Sequence, residues 1–427
     1  MGVRCRWSVI VCVLGAALAV AVLGCGRGGD AAAGAADTGV APPQPAAASP
    51  RSPAVSPDSP FFGDSAVTYP TQSDVPQAPA PKLRFRQYRL RGSWGAWDYT
   101  DRVCLLHHDL AAYPLSTLAL MDLRDGRVCG ALVRPVNARK RFVVTGGRLS
   151  DRWLAWEELS QGDDLAYPAE WRLYAAPLDE GRLAIGMPAL VAAGNTARVS
   201  RPLFDLQGDL LVWMGNARLS GVVRGSVRLR DLRSGTVHCL VQTKTPVGPV
   251  SLAGAQLLMS EYLEQSGVRI GLALVGLADH AAGLTLDLGN RYPLVHYPAT
   301  RAGWLSWSLQ LDAEGSALGL FLREPSGAMH LVAENHGSEP RFAGHYLFFD
   351  SSGPLGSTQA LSQVRGVDLR TMQQFVLVSG RSEQGGEWGG GFGAPLARHT
   401  LVVHNDRCDW AQRPSQRVTN IRVYRVD

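Results

Sequence analysis

From Lys82 onward two short patterns of apolar and polar positions alternate along the chain. The first is a turn or small residue followed by a compact apolar run. It occurs as DRVCLL from Asp101, DRWLAW from Asp151, GDLLVW from Gly208, GAQLLM from Gly254, GWLSW from Gly303, GHYLFF from Gly344 and RHTLVV from Arg398. Runs this short, bounded by turn residues, predict strands buried on both faces. The second pattern follows each run and joins a strand to another through a turn of Asp, Ser or Gly, as in LALMDLRDGRV from Leu118 and VRLRDLRSGTV from Val227. That is hairpin chemistry. The runs recur about every 50 residues, the length of one four-stranded propeller blade. The expectation is an all-β chain folded as a seven-bladed β-propeller, with six or eight blades left open.

The last copy ends on NIRVYRVD, Asn420 to Asp427, which aligns with a third strand and has no fourth after it. A bare strand edge invites association with other chains. KLRFRQYRL, Lys82 to Leu90, is strand-like and has no earlier partner. Pairing of 82–90 with 420–427 is therefore expected to close the ring over 82–427.

Several copies carry an upstream proline, and the stretch from Pro202 to Val241 combines that proline with GDLLVW and VRLRDLRSG. In this combination the repeats resemble TolB-type β-propellers, which implies the same architecture.

The N-terminus has a different character. Arg4 and Arg6 precede the apolar run SVIVCVLGAALAVAVL, which ends at Val22-Leu23-Gly24-Cys25. This resembles a bacterial lipoprotein signal, with residues 1–24 removed and Cys25 acylated. The resemblance implies export and anchoring by acyl chains such as palmitate, each buried methylene contributing about 0.8 kcal/mol. Gly26 after the cysteine points to the outer membrane, on its periplasmic side, or to the cell surface. Residues 25–81 are dominated by Ala, Pro, Gly and Ser and predict a disordered tether.

Composition excludes one class of partner. The formal charge of the 427 residues is +5, with arginines spread along the chain and no basic block, so no nucleic-acid partner is expected. The sequence has no G-x-S-x-G, H-E-x-x-H, C-x-x-C or G-x-x-x-x-G-K motif. No catalytic residue, cofactor or metal is assigned. Cys104, Cys129, Cys239 and Cys408 read as buried free thiols, because the repeat register keeps Cys104 and Cys129 two strands apart. His107, His108, His399 and His404 read as strand fillers, and Trp153, Trp156, Trp213, Trp304 and Trp307 as packing between blades.

Candidate binding residues come from long segments on one face of the ring, where binding usually resides. These are EELSQGDDLAYPAE, MGNARLSGVVRGS, SEYLEQSG, SGRSEQGGEWGGGFGAP and NDRCDWAQRPSQR. Tyr167, Glu387, Trp388 and Trp410 stand out within them as groups suited to a glycan or peptide surface. The functional expectation is a non-catalytic binding or interaction module at the cell envelope, with an envelope protein or glycan as partner. The alternative is a propeller enzyme, a lyase or hydrolase of polysaccharide or peptide.

Overall fold

The computed structural model describes residue 70 and residues 72–426, apart from 110–116, 134–135, 137–141, 161–169, 220, 264–268, 291–294, 312–317, 335–336, 353–360, 382–386, 391, 394–398 and 407–417. Every helical or extended element among the described residues is a β-strand, and they form seven sheets around one ring.

β1 (Arg84–Arg91) comes first in the chain. Blade 1 follows with β2 (Ser93–Tyr99), β3 (Val103–Asp109), β4 (Thr117–Asp122) and β5 (Val128–Val133). Blade 2 holds β6 (Phe142–Leu149), β7 (Trp153–Ser160), β8 (Glu170–Asp179), the short β9 (Ala184–Ile185) beside β8, and β10 (Ala189–Asn195). Blade 3 is β11 (Phe204–Gln207), β12 (Leu210–Leu219), β13 (Val222–Asp231) and β14 (Val237–Gln242). Blade 4 is β15 (Val247–Ala253), β16 (Gln256–Tyr262), β17 (Arg269–Gly276) and β18 (Ala282–Asn290). Blade 5 is β19 (Val295–Arg301), β20 (Trp304–Gln310), β21 (Leu318–Arg323) and β22 (Met329–Ala333). Blade 6 is β23 (Gly337–Ala343), β24 (Tyr346–Ser352), β25 (Leu361–Asp368) and β26 (Gln373–Arg381). Blade 7 takes β27 (Glu387–Gly390), β29 (Thr400–Asp406) and β30 (Val418–Arg425), while the short β28 (Phe392–Gly393) lies parallel to β2. The fourth strand of blade 7 is β1, antiparallel to β30 from Arg84 opposite Arg425 to Arg91 opposite Val418.

Each apolar run becomes the second strand of its blade because both of its faces are covered by neighbouring blades. The buried apolar side chains form seven clusters, one for each junction around the ring. Trp156 packs between blades 1 and 2 and stacks on Tyr174, with ring centroids 5.7 Å apart. Trp213 lies between blades 2 and 3, and Trp307 between blades 4 and 5. The turn from first to second strand needs a left-handed residue, and glycine fills it at Gly208 (φ 56°) and Gly344 (φ 56°). This is the glycine that opens GDLLVW and GHYLFF.

Some boundaries differ from the sequence expectation. Residues 72–81, assigned there to a disordered tether, lie along the outer edges of blades 5 and 6. Val75 is buried among Leu320, Leu322, Val332, Leu347 and Phe349, while Gln77 bridges Gln374. Asp74 binds His330 at 2.7 Å, and the Ser73 amide donates to Glu334 at 2.8 Å. A single valine flanked by small polar residues carries too little pattern to reveal this strap. MGNARLSGVVRGS is a continuous hairpin, with β12 and β13 paired as far as Leu219 opposite Val222, and Gly221 taking a φ of 82° at the tip. Cys104, Cys129 and Cys239 are free, but only Cys104 is fully buried. Cys408 lies outside the described residues.

Val75→Ser should lower unfolding stability by roughly 2 kcal/mol, the worth of a buried valine side chain. A denaturant titration of the two proteins checks it. An unchanged midpoint would mean that the strap does not hold.

Candidate functional site: a charged cluster on the propeller axis

Inner strands have a ladder partner on one side only, so backbone N–H groups on their other side need an acceptor. The chain places a polar or charged residue to meet this need at one repeated position. Asp98, Arg148, Asp205, Ser251 and Arg341 each stand five residues before the first residue of their blade's second strand. The next residue inward, Tyr99, Leu149, Leu206 or Leu252 in the first four blades, is buried in the apolar layer.

Asp98 accepts hydrogen bonds from the amides of Tyr99, at 2.8 Å, and of Leu149 in blade 2, at 2.7 Å. Asp205 repeats the device, accepting from Leu206 at 2.9 Å and from Leu252 of blade 4 at 2.7 Å. Each carboxylate thereby ties its blade to the next. Between them Arg148 brings its Nε to 3.7 Å from Asp205 and also acts on the charge of Asp98.

Blade 6 contributes the other half. Arg341, almost fully buried, donates to the Asp350 carboxylate and to the Glu339 carbonyl. Its Nη1 is 3.7 Å from the Glu339 carboxylate. Arg148 of blade 2 acts on Glu339 of blade 6, and Tyr99 of blade 1 acts on Arg341. Blades 2 and 6 are not neighbours, so these groups meet where the inner strands converge, on the axis.

The cluster holds protons unusually tightly. Burial pushes Asp98 up to about 7, although Arg148 and two amide bonds favour its charged form. Asp205 is raised by the same cause. Glu339 is raised by burial first and by the charge of Asp350 second, and a hydrogen bond joins the two carboxyl groups. Such a bond requires a proton on one of the two partners. Its backbone is also strained, with a φ of 54° at a bulge in β23. The side chains of Arg148, Glu339 and Asp350 keep 23%, 18% and 20% of their exposure, so solvent reaches this part of the cluster. A neutral carboxylic acid beside a charged one can give and take a proton.

A second buried ion pair lies at the far end of the blade 2 strands. Arg201 grips Glu157 with Nε at 2.9 and 3.0 Å and Nη2 at 2.7 Å, and the Thr145 hydroxyl donates to the same carboxylate at 2.9 Å. Glu157 is thus a strand residue joined to the start of blade 3.

The residues expected from the sequence are distributed differently. Cys25, Tyr167 and Trp410 lie outside the described residues. Glu387 and Trp388, expected in a loop, form part of inner strand β27, opposite Asp406 and Asn405 of β29. The glycines around them erase the apolar alternation that would mark a strand. The axial residues were not singled out from the sequence. The usable signal was a charged residue at one fixed distance before DRVCLL, DRWLAW, GDLLVW and GHYLFF. His107 packs edge-on to Trp97, with ring centroids 5.5 Å apart. Among the described residues no group of three His, Cys, Asp or Glu side chains is arranged to hold a metal ion.

No protein-family model matches this sequence, and no curated protein matches it. Solved structures with similar chain traces include a prolyl endopeptidase, at 13% identity and a TM-score of 0.46, covering 75% of this chain and 47% of that one. Another is the β-propeller domain of the trilobed protease from Pyrococcus furiosus, at 8% identity and a TM-score of 0.42, covering 62% and 78%. A third is an oligogalacturonate lyase in complex with manganese, at 12% identity and a TM-score of 0.46, covering 83% and 99%. This chain spans about half the length of the prolyl endopeptidase chain. Likeness at this level assigns no chemistry to the axis, which rests on its own geometry.

The raised acids give a signed pH dependence. The folded state binds protons at Asp98 and Glu339 more tightly than the unfolded chain, so their contribution is complete below about pH 4 and is lost as pH rises through 7. Asp122 and Asp368 are held below the usual carboxylate range by Arg124 and Arg370, and act only at the acid end. Glu339→Gln keeps the hydrogen bond to Asp350 and removes the titration. Between pH 5 and 8.5 it should lose less stability than the unaltered chain by on the order of 1 to 3 kcal/mol. Parallel denaturation curves across that range check this, and identical slopes would refute it.

Proposed function

We propose that this chain is an exported bacterial lipoprotein, acylated on Cys25, whose propeller is a non-catalytic binding or interaction module at the cell envelope. The arginines, apolar run and Val22-Leu23-Gly24-Cys25 box support export, with the outer membrane or cell surface as destination. The proline, GDLLVW and VRLRDLRSG elements support kinship with TolB-type repeats. An envelope protein or glycan would be bound with the help of Tyr167, Glu387, Trp388 and Trp410.

The observation that carries the non-catalytic part is the use made of the axial charges. Asp98 and Asp205 are held by backbone amides of the following blades, and Arg341 by Asp350. The first two bonds join blades, the third joins the inner and second strands of blade 6, and together they leave the carboxylates little room to turn towards a substrate.

One feature favours the second reading, a propeller lyase or hydrolase acting on polysaccharide or peptide. Glu339 is strained, holds a proton more tightly than a free carboxyl because it is buried, is partly open to solvent and is hydrogen-bonded to a second acid, which are properties of a general acid.

Full-length chain and a variant carrying Tyr167→Ala, Trp388→Ala and Trp410→Ala should be compared as baits in detergent-solubilised envelope, with melting temperatures measured alongside. The proposal expects a partner retained by the first and reduced at least tenfold by the second at equal stability. It also expects no turnover of envelope polysaccharide or peptide that Glu339→Gln abolishes. Glu339-dependent turnover would replace it with the second reading. Mass spectrometry showing an unmodified Cys25 in its native host would remove the lipoprotein half.

A further inference from the structure

The strand that completes the ring breaks a pairing rule. β1 carries Arg84, Arg86, Arg89 and Arg91, with Lys82 just before it, and its register puts Arg84 directly opposite Arg425 of β30. Like charges facing each other across a ladder weaken it, and departures of this kind tend to mark functional surfaces.

The same end of β1 borders a groove of about 770 Å³ whose walls, among the described residues, include Lys82, Arg84, Phe85, Arg86, Arg124 and Arg425 and no acidic side chain. Arg124 has an ion-pair partner in Asp122, at 2.7 Å. Arg86 donates to the Arg124 carbonyl, and Arg425 to the Thr400 hydroxyl and the Asp101 carbonyl. Those acceptors are neutral and leave the positive charge uncompensated. Among the described residues Lys82 and Arg84 form no ion pair. Phe85 stands beside them 49% exposed, with the Arg422 guanidinium 5.0 Å from its ring centroid.

Several cations around one exposed aromatic ring suit the boundary between water and lipid headgroups, where the ring reaches inward and the guanidinium groups meet phosphate. Each cation close to an anionic surface contributes about 1 kcal/mol. We propose that this groove docks the propeller onto the phosphate headgroups of an anionic membrane. The idea draws on the anchored-lipoprotein reading only for the nearness of a membrane. An anion between Arg84 and Arg425 would also relieve the repulsion in the closing ladder.

Neutron reflectometry of the full chain on supported bilayers tests this, with phosphatidylcholine alone compared with phosphatidylcholine plus phosphatidylglycerol. On the anionic bilayer the protein layer should lie against the headgroups at low salt and withdraw or desorb near 0.5 M salt, where screening is short-ranged (~4 Å). Arg84→Gln with Arg86→Gln should abolish the contact without lowering the melting temperature. Lys82→Gln with Arg124→Gln, outside the β1–β30 ladder, should weaken it independently. A layer standing off the neutral bilayer reports anchoring separately. Contact on the anionic bilayer with no layer on the neutral one would reject anchoring and sustain the groove. Equal heights on both bilayers, no layer on the anionic one, or variants that behave as the unaltered chain would overturn the proposal. So would a melting temperature raised by inorganic phosphate without lipid contact, which would assign the groove to a soluble phosphate ligand.

Discussion

Eight antiparallel residue pairs between β1 and β30 join the two ends of the folded chain, and the other blades depend on that junction. Each blade covers its apolar faces with its neighbours, so a ring that fails to close exposes two faces at once, one on blade 7 and one on blade 1. The cluster at this junction shows what is at stake. Leu106 and Met121 of blade 1 are buried against Val402, Ile421 and Val423 of blade 7, with Tyr88 and Leu90 of β1 packed beside them. Bringing these ends together costs chain entropy that grows only slowly with the length between them. A short ladder backed by an apolar layer is therefore enough to hold a ring of this size.

The axis adds a second kind of joint. Apolar layers fix each blade against its neighbours but leave the inner strand edges with unpaired amides. Asp98 and Asp205 reach across to those edges, Arg148 offsets the charge of both, and Arg341 ties Tyr99 of blade 1 electrostatically to Asp350 of blade 6. Burial raises the affinity of these acids for protons, so ionising them costs the folded state stability even though the amide bonds favour the charged form. Architecture and chemistry meet at Glu339, where a strained backbone holds an acid of raised proton affinity against Asp350 in a place that solvent reaches.

The chain shows its architecture openly because each second strand is buried on both faces and must be continuously apolar. DRWLAW and GHYLFF announce themselves for that reason, and so does the glycine at the turn before GDLLVW. Other features are silent for equally physical reasons. Glu387 and Trp388 belong to an inner strand, but the five flanking glycines, Gly385, Gly386 and Gly389 to Gly391, remove the alternation that identifies one. Val75 anchors the strap with one apolar side chain, too few to form a pattern. Asp98, Arg148, Asp205 and Arg341 are ordinary surface residue types in a linear reading. Only the ring brings blades 2 and 6 close enough for their charges to act on each other, so that site was beyond the sequence even though its repeated spacing was not.

The closing ladder can be tested by covalent capture. Gln87 and Arg422 are opposite each other in register and joined by a hydrogen bond of 3.0 Å. Cysteines placed at those two positions should cross-link under mild oxidation within one chain, at high yield, and raise the unfolding temperature. A pair displaced by two residues, at Gln87 and Asn420, should cross-link poorly. Equal yields from both pairs, or cross-links only between separate chains, would contradict a ring closed by β1 and β30.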